Sequence, residues 1–371
     1  MIELITIIGP LSALIYLCIL LYLGFGIIRS EKDLTDEKPF ISIVVAAHNE
    51  AKNIAVCLDS LLNQDYPKEK MEIIIVNDHS TDDTALILEE YEQNHKLFRV
   101  LSILESGKGL SPKKNALTHG INFAKGEIIA ATDADCIVPT QWLKKGASYF
   151  TPETGMVVGL APLNPTSWLM SPLMCVDAII GGITAYGSLA WDHAVTCTGR
   201  NLFYRKKLFE EIRGFSGIDH ILMGDDDLLM MKIRKKTDWK IRFMPDANSA
   251  VLSDAPTGWR QFISQRSRHI SASRYFPFSV KVGFGITFIS KLFMMLFVFV
   301  LLLGNGASHI NLALIIVLPY LSTFILLIMM SIKVRQVSNI LFYPLWEIYY
   351  LFNQLLIGPL GFFGKITWGK K

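Results

Sequence analysis

Apolar and polar positions alternate on three different scales along this chain. At the coarsest, residues 2–28 are apolar except for Glu3 and a few small side chains, and Arg29 and Lys32 follow. A run of that length can cross a bilayer as a helix. Two more such runs, about 286–303 and 312–330, lie beyond the middle of the chain. Between them the pattern shortens. Residues 40–47 (FISIVVAA) form a β-branched run, and from Asn49-Glu50 a helical period runs through Ile54, Cys57, Leu58, Leu61 and Leu62. Residues 71–76 (MEIIIV), 98–103 and 127–132 repeat the strand pattern, with helical stretches at about 82–91 and 112–124. Continuous apolar strands separated by helices predict an α/β domain, a parallel sheet covered on both faces. Ligands of such sheets gather at the carboxyl ends of the strands, where the polar clusters fall here.

Two apolar stretches fit this scheme less simply. Residues 341–363 are long enough to span but contain Glu347, Asn353, Gln354 and two prolines, and predict a re-entrant or interfacial segment. Residues 173–191 carry one charge, Asp177, and are interrupted by Gly181, Gly182 and Gly187. A span there would separate the motifs before and after it, so the stretch predicts a buried or membrane-facing helix of the soluble domain.

Composition agrees with this division. The chain has 371 residues, 51% of them hydrophobic, and a mean hydropathy of +0.36. Nearly all acidic residues lie between Glu31 and Asp254, leaving roughly 220 residues, enough to bury a full core, between apolar ends. The expected organisation is an anchor over 1–30, a catalytic domain over 38–255, an amphipathic interfacial segment over 256–281 and a membrane region over 282–371. Lys and Arg follow the first run, and Lys333 and Arg335 follow the third, whereas 304–311 has neither. That asymmetry predicts a cytosolic domain. A net charge of +3 is too small to suggest nucleic acid as a partner. The five scattered cysteines contain no CxxC pair and read as reduced, mostly buried thiols.

Four polar clusters carry candidate chemistry. Asp133-Ala134-Asp135 follows the fourth strand, and two carboxylates so spaced can offer hard ligands to Mg²⁺ or Mn²⁺ shared with a diphosphate; a solvated turn has the same pattern. Asp78 stands at the second strand's tip, where it can accept from a nucleobase N–H, while Ser80 or Thr81 can cap the next helix and Asp82 and Asp83 suit its positive end. Asp225-Asp226-Asp227 precede an apolar helix, beyond what capping requires, and adjacent carboxylates raise one another's pKa as a general base needs. Gln265-Arg266-Ser267-Arg268-His269 lies in a stretch mixing arginines with aromatic residues. It suits an amphipathic helix on lipid phosphates, and Gln265 and Arg268 can also reach a diphosphate.

Taken in order, these clusters resemble the membrane-bound family 2 glycosyltransferases with a GT-A fold, a Rossmann-like, mostly parallel sheet. The resemblance covers 43–50 (IVVAAHNE), Asn77 to Asp82, 108–117 (KGLSPKKNAL), the DxD at Asp133 to Asp135, 198–205 (TGRNLFYR), Asp225-Asp226 and Gln265 to His269. Asn77 and Asp225 stand where an acidic residue and a Glu are common, and His269 replaces a Trp that packs near the acceptor.

The resemblance implies an inverting transfer of a hexosyl or N-acetylhexosaminyl group from a nucleotide-sugar donor, favouring UDP. Asp135, assisted by Asp133, would bind Mg²⁺ or Mn²⁺, Glu50 and Asp78 would hold the nucleoside, and Lys113 or Lys114 the phosphates. Asp226, beside Asp225, would be the base, and Arg268 and Gln265 would hold the leaving diphosphate. Gly199, Arg200 and His269 would face the acceptor, a membrane lipid, a lipid-linked acceptor or a growing glycan, in a bacterial plasma membrane. A processive synthase, a nucleotidyltransferase of similar fold and an inactive scaffold are the alternatives.

Overall fold

The computed structural model describes residues 2–30, 33–103, 110–303 and 310–364. Lys108, most of the 304–311 loop, and Lys365, Lys370 and Lys371 lie outside them. The strands are β1 (Ile41–Ala47), β2 (Met71–Asp78), β3 (Phe98–Ile103), β4 (Ile128–Ala131), β5 (Thr154–Gly159), β6 (Leu163–Asn164), β7 (Leu202–Arg205), β8 (Lys240–Met244) and β9 (Ser253–Asp254). Seven of them form one sheet in the order β3-β2-β1-β4-β7-β5-β8. Every pairing in it is parallel except that β7 runs antiparallel to β4 and to β5. The short β6 and β9 pair separately.

The helices are α1 (Ile2–Arg29), α2 (Ile54–Leu62), α3 (Thr84–Asn94), α4 (Pro112–Phe123), α5 (Trp142–Ser148), α6 (Ser171–Leu189), α7 (Lys206–Glu211), α8 (Asp227–Lys236), α9 (Trp259–Ala272), α10 (Phe278–Leu303), α11 (Ile310–Lys333), α12 (Tyr343–Phe352) and α13 (Gly358–Phe363). Alternate strand residues face opposite layers. Ile43, Val45, Ile73 and Ile75 pack with Leu58 of α2 and Trp142 of α5, whereas Val44, Ile74, Val76 and Val158 pack with Leu117 and Ile121 of α4. The second core does not stop at the domain: Ile179 and Ile183 of α6, Tyr16 and Leu20 of α1, and Met294 and Phe297 of α10 continue it.

Four helices among the described residues, α1, α6, α10 and α11, are long and apolar enough to cross a membrane. Helix α6 lies in the predicted place, but it also packs against α1, α11 and α12 as well as β8. The strands either side of it in sequence, β5 and β7, pair side by side, so both ends of α6 return to one sheet. Residues 341–363 do not form a straight helix. A 3₁₀ segment (Val337–Phe342), α12, a π-helical turn (Asn353–Ile357) and α13 follow one another.

Helix α4 carries both candidate lysines, and it lies unusually close to the sheet. A Cβ on Gly120 would stand 2.5 Å from Val44 Cγ1 and 3.0 Å from Val76 Cγ2. Gly120→Val should therefore cost about 1–3 kcal/mol by overpacking, read as a lowered thermal midpoint in detergent; an unchanged midpoint would contradict this packing.

Candidate active site

The clusters meet at the carboxyl ends of β1, β2 and β4, where parallel strands leave backbone ends open. The β1 and β2 turns are tied together through side chains. The Asn49 N–H donates to Ser80 Oγ (3.0 Å), and Thr81 N–H to Asn49 Oδ1 (2.7 Å). Neither Ser80 nor Thr81 caps α3. The N-cap position belongs to Asp83, which makes no side-chain cap, while the Asp82 carboxylate ties the start of α3 to the β1 turn by accepting from Thr84 N–H (3.1 Å) and from Ala51 N–H (3.2 Å). Asp78 is buried, with Oδ1 2.7 Å from His79 Nδ1. Glu50 lies beside this turn, and its Oε2 accepts from Asn53 Nδ2 at 3.0 Å.

The two lysines of α4 part company, since successive helical residues point about 100° apart. Lys113 Nζ bridges Asp133 Oδ1 (2.7 Å) and Asp225 Oδ2 (2.8 Å), joining the DxD to the second acidic cluster. Burial works against its charge, but Asp133 and Asp225 hold the ammonium well above its usual pKa. Lys114 does not face the cleft. Its Nζ donates to the carbonyls of Ile218 (2.8 Å), Ile221 (2.6 Å) and Met223 (2.8 Å), which uses all three of its hydrogens. The expectation of a phosphate contact from Lys114 is thereby corrected: it folds the 218–223 loop onto α4.

Around Asp133, burial raises the carboxyl pKa and Lys113 more than offsets it, leaving Asp133 below the usual range. Asp135 is exposed at the cleft mouth, and the enclosing protein, then Asp133 and Glu50, push its carboxyl upward. Ligand atoms of Asp133, Asp135 and Cys136 lie within 4.8 Å of one another. Two hard carboxylates, one crowded by negative charge, form a donor set that fits Mg²⁺ or Mn²⁺. The Cys136 thiol is buried and its pKa pushed well up, first by burial and then by Asp135, so it stays protonated.

The Asp225-Asp226-Asp227 cluster divides its work. Asp226 Oδ1 accepts from Asp227 N–H and Oδ2 from Gly199 N–H, both at 2.7 Å. Burial first, and then Asp225, raise its pKa to about 6. Asp227 turns away to accept from Cys197 N–H (2.8 Å) and Thr196 Oγ1 (3.1 Å), which pins the segment leading to β7. Arg200 of that segment donates to Ala161 O (2.6 Å) and Ser253 Oγ (2.5 Å), and its own carbonyl accepts from Thr132 Oγ1 (2.8 Å).

From α9, Arg268 faces the acidic mouth. Burial lowers its pKa, opposed by the charges of Asp135, Asp133 and Glu50. Gln265 Oε1 is buried with no hydrogen-bond partner. His269 is exposed at the cleft mouth; its enclosure among protein groups, then Arg266, Arg200 and Arg268, depress its pKa and keep the imidazole neutral. Arg266, between these residues in sequence, points elsewhere and pairs with Asp177 (2.5 Å). That partnership was not foreseen, although a lone charge inside an apolar helix is itself a signal.

This cleft lies at the edge of a sheet of GT-A type, with acidic groups from three strand ends and the cationic helix α9 on one side. The family models agree. "Glycosyl transferase family 2" matches residues 42–213, and "Glycosyl transferase family group 2" matches residues 128–334, more than half of the chain. The chain belongs to the family 2 glycosyltransferases. It is 28% identical over 250 residues to the Bacillus subtilis (strain 168) protein named Probable glycosyltransferase YdaM, covering 64% of this chain and 56% of that one. It is 29% identical over 229 residues to poly-beta-1,6-N-acetyl-D-glucosamine synthase of Staphylococcus epidermidis (60% and 52%). It is 28% identical over 244 residues to beta-monoglucosyldiacylglycerol synthase of Nostoc sp. (strain PCC 7120 / SAG 25.82 / UTEX 2576) (62% and 49%). The match thus spans about half the length of these relatives. Among solved structures, the mannosyltransferase PcManGT from Pyrobaculum calidifontis, in complex with GDP-Man and Mn²⁺, shares the fold. Its TM-score is 0.59 at 18% identity, over 94% of this chain and 99% of that chain.

Replacing Lys114 by Met would strip a partner from three carbonyls, at about 1–3 kcal/mol for each one left buried and unpaired. Lys114→Met should lower the unfolding midpoint markedly, and equal stability would remove Lys114 from this structural role.

Proposed function

We propose that the chain catalyses a metal-dependent, inverting transfer of a sugar from a nucleotide diphosphate to a hydroxyl of a lipid or lipid-linked acceptor. The observation that carries this reading is Asp226, raised to about 6 and held by two backbone N–H groups within the Lys113-bridged cleft. A carboxylate fixed in orientation and raised towards neutrality has what a general base requires. In this reading Asp226 takes the proton from the acceptor hydroxyl as that oxygen attacks the anomeric carbon. The C–O bond to the diphosphate breaks in the same step, on the opposite face. Asp225 raises the base's proton affinity. Arg268 and Gln265 hold the departing diphosphate, and Glu50 and Asp78 the nucleoside end. Asp135 and Asp133 would hold Mn²⁺ or Mg²⁺, which when bound neutralises charge building on the diphosphate. Gly199, Arg200 and the neutral His269 border the acceptor.

A lipid-borne acceptor is supported by the position of α9. It packs against the α12–α13 segment, beside the apolar helices, so a hydroxyl carried in the lipid can approach without its chain entering water. The names of the Nostoc and Staphylococcus relatives cover glycolipid and polysaccharide products, so a growing glycan is the second acceptor class. Lys and Arg following α1 and α11 support a cytosolic catalytic domain in a bacterial plasma membrane.

Nucleotide diphosphate release from a panel of nucleotide sugars, with membrane lipid extract or soluble glycan as acceptor, tests this reading. Asp226→Asn should lose roughly 10²–10⁴ in rate, about 3–5 kcal/mol of barrier. Because the base must be ionised, kcat/KM should climb with pH up to about 6 and level above it; a flat profile from pH 4.5 to 8 would reject Asp226 as base. Asp135→Ala should raise the Mn²⁺ concentration needed for half-maximal release, and an unaltered requirement would remove Asp135 from the metal site.

A further inference from the structure

We propose that Asp177, Tyr349 and Gly361 are positioning residues that clasp α9 from its outer side and so aim Arg268 and Gln265 at the donor end of the cleft. This rests on the reading of Arg268 and Gln265 as diphosphate ligands. Asp177 is the sole charged residue of α6. Its Oδ2 lies 2.5 Å from Arg266 Nη2, and its Oδ1 accepts from Trp346 Nε1 at 3.1 Å. The same Arg266 nitrogen donates to Tyr349 Oη at 2.9 Å. Burying a guanidinium is costly unless it is paired and hydrogen-bonded, and here one arginine draws its partners from two other helices, α6 and α12.

Helical geometry converts this contact into aim. Arg266 and Arg268 are two residues apart and so project from α9 about 160° from one another. With Arg266 fastened outward, rotation of α9 about its axis is blocked, and Arg268 is left facing Asp133, Asp135 and Glu50. A second hold prevents α9 from sliding. A Cβ on Gly361 of α13 would lie 2.7 Å from Ile270 Cβ and 3.0 Å from the Ser267 carbonyl. Just beyond α9, Arg274 donates to the carbonyls of Gly361 (2.9 Å) and Gly364 (2.8 Å). The clasp is itself anchored, because Glu347 of α12 pairs with Lys291 of α10 at 2.6 Å, and the Lys291 ammonium lies 4.7 Å from the ring centre of Tyr16 in α1. The broken segment after α11 therefore serves as a bracket between the apolar bundle and the cleft, and displacement of the bundle reaches Arg268 through Asp177 and Gly361.

The full-length protein in detergent, with Asp177→Asn and Gly361→Ala made separately, tests the clasp by two readouts. Asp177→Asn keeps the acceptor for Trp346 and removes the charge. Hydrogen exchange in the 259–272 peptide should rise at least tenfold in both variants while the β1 and β2 peptides stay protected. Nucleotide release should fall tenfold or more through kcat, and Asp177→Glu should recover most of it. In an Arg268→Ala background either change should cost less than a further twofold, since the aimed group is gone. Unchanged exchange over 259–272 overturns the clasp, whatever the donor panel yields. Raised exchange with full turnover, or a loss that multiplies undiminished on Arg268→Ala, overturns the positioning role and leaves the proposed transfer standing. Absence of release from every donor by the unaltered protein counts against the proposed function, while the exchange measurement still decides the clasp.

Discussion

The ammonium of Lys113 is the interaction on which this cleft depends. Glu50, Asp133, Asp135, Asp225 and Asp226 converge at the ends of a parallel sheet, and like charges about 4 Å apart repel by roughly 4 kcal/mol at an effective dielectric near 20. Lys113 touches one member of each acidic motif and so places a positive charge between them at close range. Its place is secured in turn by the close seat of α4 on β1 and β2 and by Lys114, which binds the 218–223 loop on the adjoining side. Asp226 sits just outside that bridge, and the difference in environment separates a low Asp133 from a raised Asp226.

A second organising fact is that the soluble and apolar parts share one core. Side chains from the sheet, α4, α6, α1 and α10 form a continuous apolar body, so the domain is not tethered by a loose stalk. Helix α6 is the clearest case, with one side on β8 and the others on α1, α11 and α12. Such packing sets the cationic helix α9 against α13 and, through Arg266, against α6.

Much of this was legible in advance. The runs IVVAA and EIIIV are almost wholly buried, so they read as strands without knowledge of their neighbours, while the DxD falls just past β4 and Asp225-Asp226 just before α8. The direction of β7 was not legible, because LFYR packs equally well with its chain running either way and only its pairing with β4 and β5 settles the matter. Lys113 and Lys114 were indistinguishable as adjacent residues of one type. Ser80 and Thr81 looked like caps by type, yet both are tied to Asn49 of the β1 turn, and it is Asp82 that accepts from the first N–H of α3.

By itself the sequence determined the elements, the apolar helices and the inventory of carboxylates, since these follow from local period and residue chemistry. The tertiary structure decided which of those charges meet. It sent Lys113 to the acids and Lys114 to a loop, and it turned Arg266 to Asp177 and Arg268 to the cleft. The physical reason is that a charge's role depends on distance and burial across the chain, with partners up to 112 residues away in sequence for Lys113 and 89 for Arg266 (225 − 113 and 266 − 177). No local pattern encodes a separation of that kind.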